Sequence, residues 1–280
     1  MTLEKLISEL NFVSDIEQAV QRKILKDSNL IKEIAETAYC GENFNFALCR
    51  RMPLTRLVVI TYLLLHKYDD YKSKEIPDNI IYDTFRDVSL RANLYYNRTN
   101  KVGISKDDVV WFRHIMNINI FKVGTLQFQP FEMLYLDEEG IGEPYMTFTK
   151  EQKATLPTGA PVLNCHIQKG ADLSYQSVEE SLNNAKAFFM KYFPNVQYKA
   201  FLCYSWLLYP PMLKYLSKES NIRQFAKQFN IIGFCNDPEQ AIENLLGNVN
   251  SRLPDKTTSL QKMAIEHKER FGIACGIISI

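Results

Sequence analysis

The chain has 280 residues, 46% of them hydrophobic and 23% charged, and a net charge of +1. That composition suits one large or two ordinary globular domains, two being the better fit, and without a basic block it argues against a nucleic-acid partner. The longest apolar run, Leu57 to Leu65, is far too short to span a membrane, and the opening MTLEKLISELNF lacks the apolar core of a secretory leader, so a cytoplasmic protein is expected.

The first hundred or so residues read as helical. Leu3, Leu6, Ile7 and Leu10 share one face, and Ser14 followed by Glu17 has the pattern of a capping box for a helix running through Ile24. Two more helices are predicted over Ser28 to Tyr39 and Leu54 to His66, the second apolar all round. Pro77 begins another, with Ile80, Ile81, Thr84, Phe85 and Val88 in one stripe, and Ser105 opens the next, which ends near Asn119 and carries Asp107 and Asp108 in its first turn. None of this is catalytic in character.

The hydrophobic period then changes. FKVGTLQFQPFEM, from Phe121 to Met133, alternates in part as half-buried strands do, and Tyr145 to Thr149 reads as another short strand beyond a turn at Gly140, Gly142 and Pro144. The domain boundary falls at about residue 105 to 120, giving a helical domain over 1–110 and an α/β (α+β) domain over 111–280. Within the second, Val162 to Ile167 is a buried strand, Gln168 to Leu173 a turn with a glycine, Ser174 to Tyr192 an amphipathic helix and Tyr198 to Leu208 a second apolar strand. Asn230 to Cys235 and Ile273 to Ile280 are further strands; Pro238 to Leu246 and Leu260 to Arg270 are helices. A strand feeding a helix through a short turn aims the helix N-terminus and its N–H groups at an anion, so a ligand pocket is expected beside Gly170 and the helix starting near Ser174.

The six cysteines, at 40, 49, 165, 203, 235 and 275, form no CxxC pair and have no histidine at zinc-finger spacing, so no metal site is expected. Cys165 and Cys203 lie in apolar runs and read as core residues. The Asn97 sequon carries weight only in a secreted chain. No Ser-His-Asp or Cys-His pair can be assembled from the order of residues.

The segments WFRHIMNINIFKVGTLQFQPFEM, LNCHIQKGADLSYQSVEESLNNAKAFFMKYFP, FLCYSWLLYP and SNIRQFAKQF, in this order and spacing, resemble a bacterial acyltransferase-domain family. Its members join a helical N-acyltransferase N-terminal domain to a GNAT-like C-terminal domain. The resemblance implies a splayed pair of parallel strands, 162–167 and 198–208, gripping the pantetheine arm of acetyl-CoA or another acyl-CoA. Gln168, Lys169, Gly170 and Ser174 would hold the pyrophosphate on the following helix, and the activity implied is acyl transfer to a small-molecule amine. The loop reads QKGADLS, with no second glycine, and its Asp172 carboxylate stands near the phosphates unless turned away; this keeps a non-catalytic GNAT-like binding or interaction module as the alternative.

The resemblance also assigns roles. His166, at the end of the first gripping strand, is either the base for the acceptor amine or a cross-sheet hydrogen-bonding group that orders the loop. Ser205 is a proton donor to the departing thiolate or a partner for exposed backbone, with Tyr209 or Tyr204 as the phenol that could take the donor role. Asn221, after Ser220, is a helix cap or a ligand contact.

Overall fold

The computed structural model describes residues 1–42, 44–137, 146–247 and 257–280. The chain divides into two compact units, Met1–Lys122 and Val123–Ile280. The turn at Gly140, Gly142 and Pro144 and the residue Tyr145 lie outside the described residues, and the described remainder of that segment, 146–149, is not a strand.

The first unit is built from α1 (Leu3–Leu10), α2 (Ser14–Lys26), α3 (Ser28–Glu36), α4 (Pro53–Ser73), α5 (Asp78–Thr99) and α6 (Lys106–Met116). The capping box at Ser14 does not form: Ser14 is already helical, Val13 precedes it without a side-chain cap, and the Ser14 hydroxyl accepts from Gln18 Nε2 at 3.1 Å. Ser105 does form one, reciprocally with Asp108. Helix α4 runs a further seven residues beyond His66, through a polar stretch, because Tyr71 continues its buried stripe and meets Phe85 edge-on. Among the buried polar groups, Arg56 donates to the carbonyls of Ile104, Cys49 and Arg51, while Asp87 accepts from Trp111 Nε1 at 2.6 Å beneath an Arg91 guanidinium stacked on the indole.

The mixed sheet comprises β1 (Phe121–Val123), β2 (Leu126–Glu132), β3 (Pro161–His166), β4 (Ala200–Ser205), β5 (Asn230–Cys235) and β6 (Ile273–Ser279), in the order β1-β2-β3-β4-β6-β5. The pair β3–β4 is parallel, while β2–β3, β4–β6 and β5–β6 are antiparallel. The crossover from β3 to β4 is α8 (Tyr175–Tyr192), which follows a short α7 (Lys150–Thr155). Helix α7 has almost no apolar stripe; a capping box between Thr149 and Gln152 starts it, and so hydrophobic period alone does not reveal it. After β4 come a 3-10 turn at Trp206–Leu208, α9 (Pro210–Leu213), α10 (Asn221–Ala226), α11 (Glu239–Leu246) and α12 (Ser259–Glu266).

The hairpin β1–β2 turns on Gly124 and Thr125, with Gly124 at φ 66°, where a side chain would also meet Ser181 of α8. The buried Ser181 hydroxyl donates to Val123 O and accepts from Leu126 N at 3.2 Å, and Thr125 Oγ1 donates to Asp172 O at 2.8 Å. One tight turn thus anchors both α8 and the loop that precedes it.

Candidate functional site

The ladder between β3 and β4 pairs Val162 with Ala200, Leu163 with Phe201 and Asn164 with Leu202, and stops there. Both strands continue. β3 stays paired with β2 as far as His166 opposite Gln127, and β4 stays paired with β6 as far as Ser205 opposite Ala274. Held on their outer edges and unpaired on their inner ones, the two strands part, opening the sheet between 165–166 and 203–205.

Side chains alternate along a strand and agree across a pair, so Val162, Asn164 and His166 leave the same face as Ala200, Leu202 and Tyr204. The same rule adds Gln127 and Gln129 of β2 to that face and puts Cys165, Cys203 and Ser205 on the other. Nearer the start of the strands the first face is apolar, with Val162, Ala200 and Leu202 packed against Met133, Tyr135, Met146 and Leu156. Its polar members collect where the strands part.

His166 is half-buried, with Nε2 2.9 Å from Gln129 Oε1. Tyr204, on the same face, donates to Leu134 O at 2.8 Å, and burial pushes its phenol far up, so that it stays protonated at neutral pH. Ser205 Oγ accepts from Leu207 N at 3.2 Å and starts the 3-10 turn, which ends the second gripping strand at Ser205, three residues short of Leu208. The Tyr209 ring lies edge-on to Phe234 and fills the space beside Gly272, where a Cβ would stand 2.6 Å from it. Ser205 and Tyr209 are therefore not brought onto the face of His166. Burial raises the Cys165 and Cys203 thiols well above their ordinary range, which makes both core groups rather than nucleophiles.

Beyond β3 the chain makes a tight turn in which Ala171 N donates to Gln168 O at 3.1 Å and Gly170 takes φ 84°, the positive value a type II turn needs at its third residue. Lys169 and Gly170 are exposed, Gln168 half-buried. Ser174 does not cap α8 through its side chain. Asp172 reaches the helix end instead: its carboxylate accepts from Ser174 N at 2.9 Å, Ser174 Oγ at 3.0 Å and Ser177 Oγ at 2.6 Å. The Ser177 hydroxyl, the Ser174 N–H and the Ser174 hydroxyl hold that carboxyl below its ordinary value. The charge beside the proposed phosphate position is thus bound down onto the first turn. The N–H groups of Tyr175, Gln176 and Ser177 have no protein acceptor among the described residues.

The site at Gly170 is an open surface. One cavity of about 610 Å³ lies at the start of β3 and β4, bordered by Leu156, Ala160, Lys199 and Ala200, and another of about 340 Å³ lies beside α8, at Leu163, Phe189 and Met190. Neither is lined by Gly170 or Ser174, beside which the sequence places a ligand pocket, and nothing lies within 4 Å of a Cβ added at Gly170. Asn221 is exposed at the first position of α10, after Ser220, which makes no side-chain cap. Gln127 and Gln129 are the site residues that sequence reasoning missed. Their alternation with apolar neighbours assigns them to solvent, yet they are 1% and 6% exposed. Among the described residues no group of three or more His, Cys, Asp or Glu side chains could hold a metal ion, and no helix is long and apolar enough to cross a membrane.

A mixed sheet whose central parallel pair parts at its C-terminal end, with a crossover helix starting beside the gap, is the GNAT-like class of fold. Residues 120–278 match the GNAT-like C-terminal domain and residues 1–118 the N-acyltransferase N-terminal domain, and the chain belongs to the family that joins the two. It is similar in fold to a solved acyltransferase in complex with decanoyl-CoA and teicoplanin, at 17% identity and a TM-score of 0.74 over 99% of this chain and 87% of that one. An acyltransferase mutant in complex with octanoyl-CoA is similar at 16% identity, with the same TM-score and the same coverage. No curated protein matches the chain.

Proposed function

We propose that the chain is an acyl-CoA-dependent N-acyltransferase acting on a small-molecule amine. The observation that carries this reading is the parting of β3 and β4 beyond Asn164 and Leu202, with the N-terminus of α8 beside the gap. Backbone groups on the inner strand edges can pair with the amides of a pantetheine arm, and the N–H groups of Tyr175, Gln176 and Ser177 suit its pyrophosphate. Gln168, Lys169, Gly170 and Ser174 border the same place, and Lys169 is proposed to bring a positive charge to the phosphates. Asn221 is kept as a further cofactor contact. The fold relatives crystallised with decanoyl-CoA and octanoyl-CoA support a medium-chain acyl group as well as acetyl, and the one bound with teicoplanin supports a small-molecule acceptor. Acyl-CoA as donor fits a cytoplasmic protein.

Direct transfer needs positioning, a base for the amine and a donor for the thiolate. His166 is proposed as the base. Tyr204, on the same face and protonated at working pH, is the better placed donor, in preference to Ser205 or Tyr209. Titration with CoA, acetyl-CoA and octanoyl-CoA by calorimetry, followed by thiol release in the presence of amines, tests the reading. Binding of CoA is expected, and His166→Ala should lower turnover about a hundredfold or more with CoA affinity nearly unchanged. A chain that binds none of the three thiols or thioesters is the non-catalytic module instead, and loss of folding in His166→Ala would make the histidine structural.

A further inference from the structure

We propose that Gln127 selects the acceptor, its side-chain amide donating to a neutral carbonyl oxygen adjacent to the amine that is acylated. The inference rests on the acyltransferase reading and deepens it by naming the substrate class: α-amino amides. Gln127 stands directly opposite His166 in the β2–β3 register, so the two side chains leave one face with Cβ atoms about 5 Å apart. It is 1% exposed, and its Nε2 is shut off from solvent without a hydrogen-bond partner among the described residues.

The contrast with Gln129 is what makes this informative. Gln129 is also buried and on the same face, but its amide serves the His166 imidazole at 2.9 Å. The Gln127 Nε2 has no partner among the described residues. An enclosed amide donor left unpaired destabilises a fold, and an apolar side chain of the same length would sit there at no loss, so folding alone does not account for a glutamine at 127. A neutral amide brings no charge to balance a carboxylate, and a neutral carbonyl is the group it satisfies best. With an amine held at His166, an oxygen on the next carbon but one along the acceptor falls within reach of the neighbouring side chain.

The test compares transfer from octanoyl-CoA to glycinamide and to n-propylamine, which has the same chain length without the carbonyl, in the wild type and in Gln127→Met. The wild type should prefer glycinamide. In Gln127→Met the ratio of the two kcat/KM values should fall about tenfold, through a higher KM for glycinamide, because one hydrogen bond to the acceptor is lost. Octanoyl-CoA should bind with unchanged Kd, and the melting temperature should hold or rise, since an orphaned donor has been removed. An equal ratio in both proteins, a wild type without the preference, or a variant that melts lower overturns the assignment of Gln127 while leaving the acyltransferase reading in place. Failure of the wild type to bind octanoyl-CoA brings down both.

Discussion

Two residues set measurable behaviour directly. Asp172 ties down the first turn of α8 through Ser174 and Ser177, which lowers its folded pKa below 3.8. A depressed carboxyl stabilises the fold above its unfolded value and loses that contribution as pH falls through the folded one. Asp172→Ala should therefore lower the melting temperature at neutral pH and differ less from wild type in acid. Asp172→Asn keeps an acceptor while removing the charge, and it should tighten CoA binding by a few fold, most clearly at low salt, where a titration at two ionic strengths would detect it. In the first unit, burial and then the Arg113 charge push His114 down from 6.5 to about 4. Its folded state binds fewer protons than the unfolded one across that interval. Stability should fall as pH drops from 6.5 towards 4, and urea midpoints of His114→Phe, which keeps a ring against Trp111, should show a flatter dependence over the same window. Of the candidate site, Gly170 was legible because a glycine between strand and helix signals a positive φ, and His166 because it ends a strand. The buried glutamines were not, since alternation reports the pleat and not whether the second face is covered.

At the scale of elements, the anchoring of α8 matters most. Ser181 joins Val123 O and Leu126 N across the hairpin, and Ser181→Ala would leave both backbone groups buried without that partner. A loss of about 1–3 kcal/mol is expected, read from chemical denaturation, together with weaker CoA binding because the helix end is no longer fixed beside the strand gap. Gly170→Ala should be milder: nothing lies within 4 Å of the added Cβ, so only the left-handed backbone is strained, at about 1 kcal/mol. Sequence reading located β3, α8 and β4 because long apolar runs bounded by turn residues are strong signals. It overran β4 by three residues because the cap that Ser205 gives to Leu207 N is a local hydrogen bond invisible to hydrophobic period. For the same reason it placed a cap at Ser14, where the side chain turns to Gln18, and did not find α7, whose only mark is the Thr149–Gln152 box.

At the scale of the whole molecule, a ligand that binds only the folded second unit should raise its melting temperature. At a hundredfold excess over Kd, octanoyl-CoA should add about 2.7 kcal/mol, or roughly 5–10 °C for a unit of this size, and a scan with and without the thioester would show it. The division into a helical first part and a mixed-sheet second part was readable from the change of period near Phe121. The order of the strands was not, because hydrophobic pattern does not say which strands pair. That order has a consequence for synthesis. β6 lies between β4 and β5, although it is made last of the three. Until residues 273–279 have left the ribosome, β5 has no neighbour to join and the outer edge of β4, which keeps the strand straight while its inner edge opens, is bare. The nascent chain can thus complete its helical first unit early, but the gap between β3 and β4 takes its final shape only when these late residues slot in, and a chain cut before Ile273 would present two unpaired strand edges to its neighbours and be prone to aggregate.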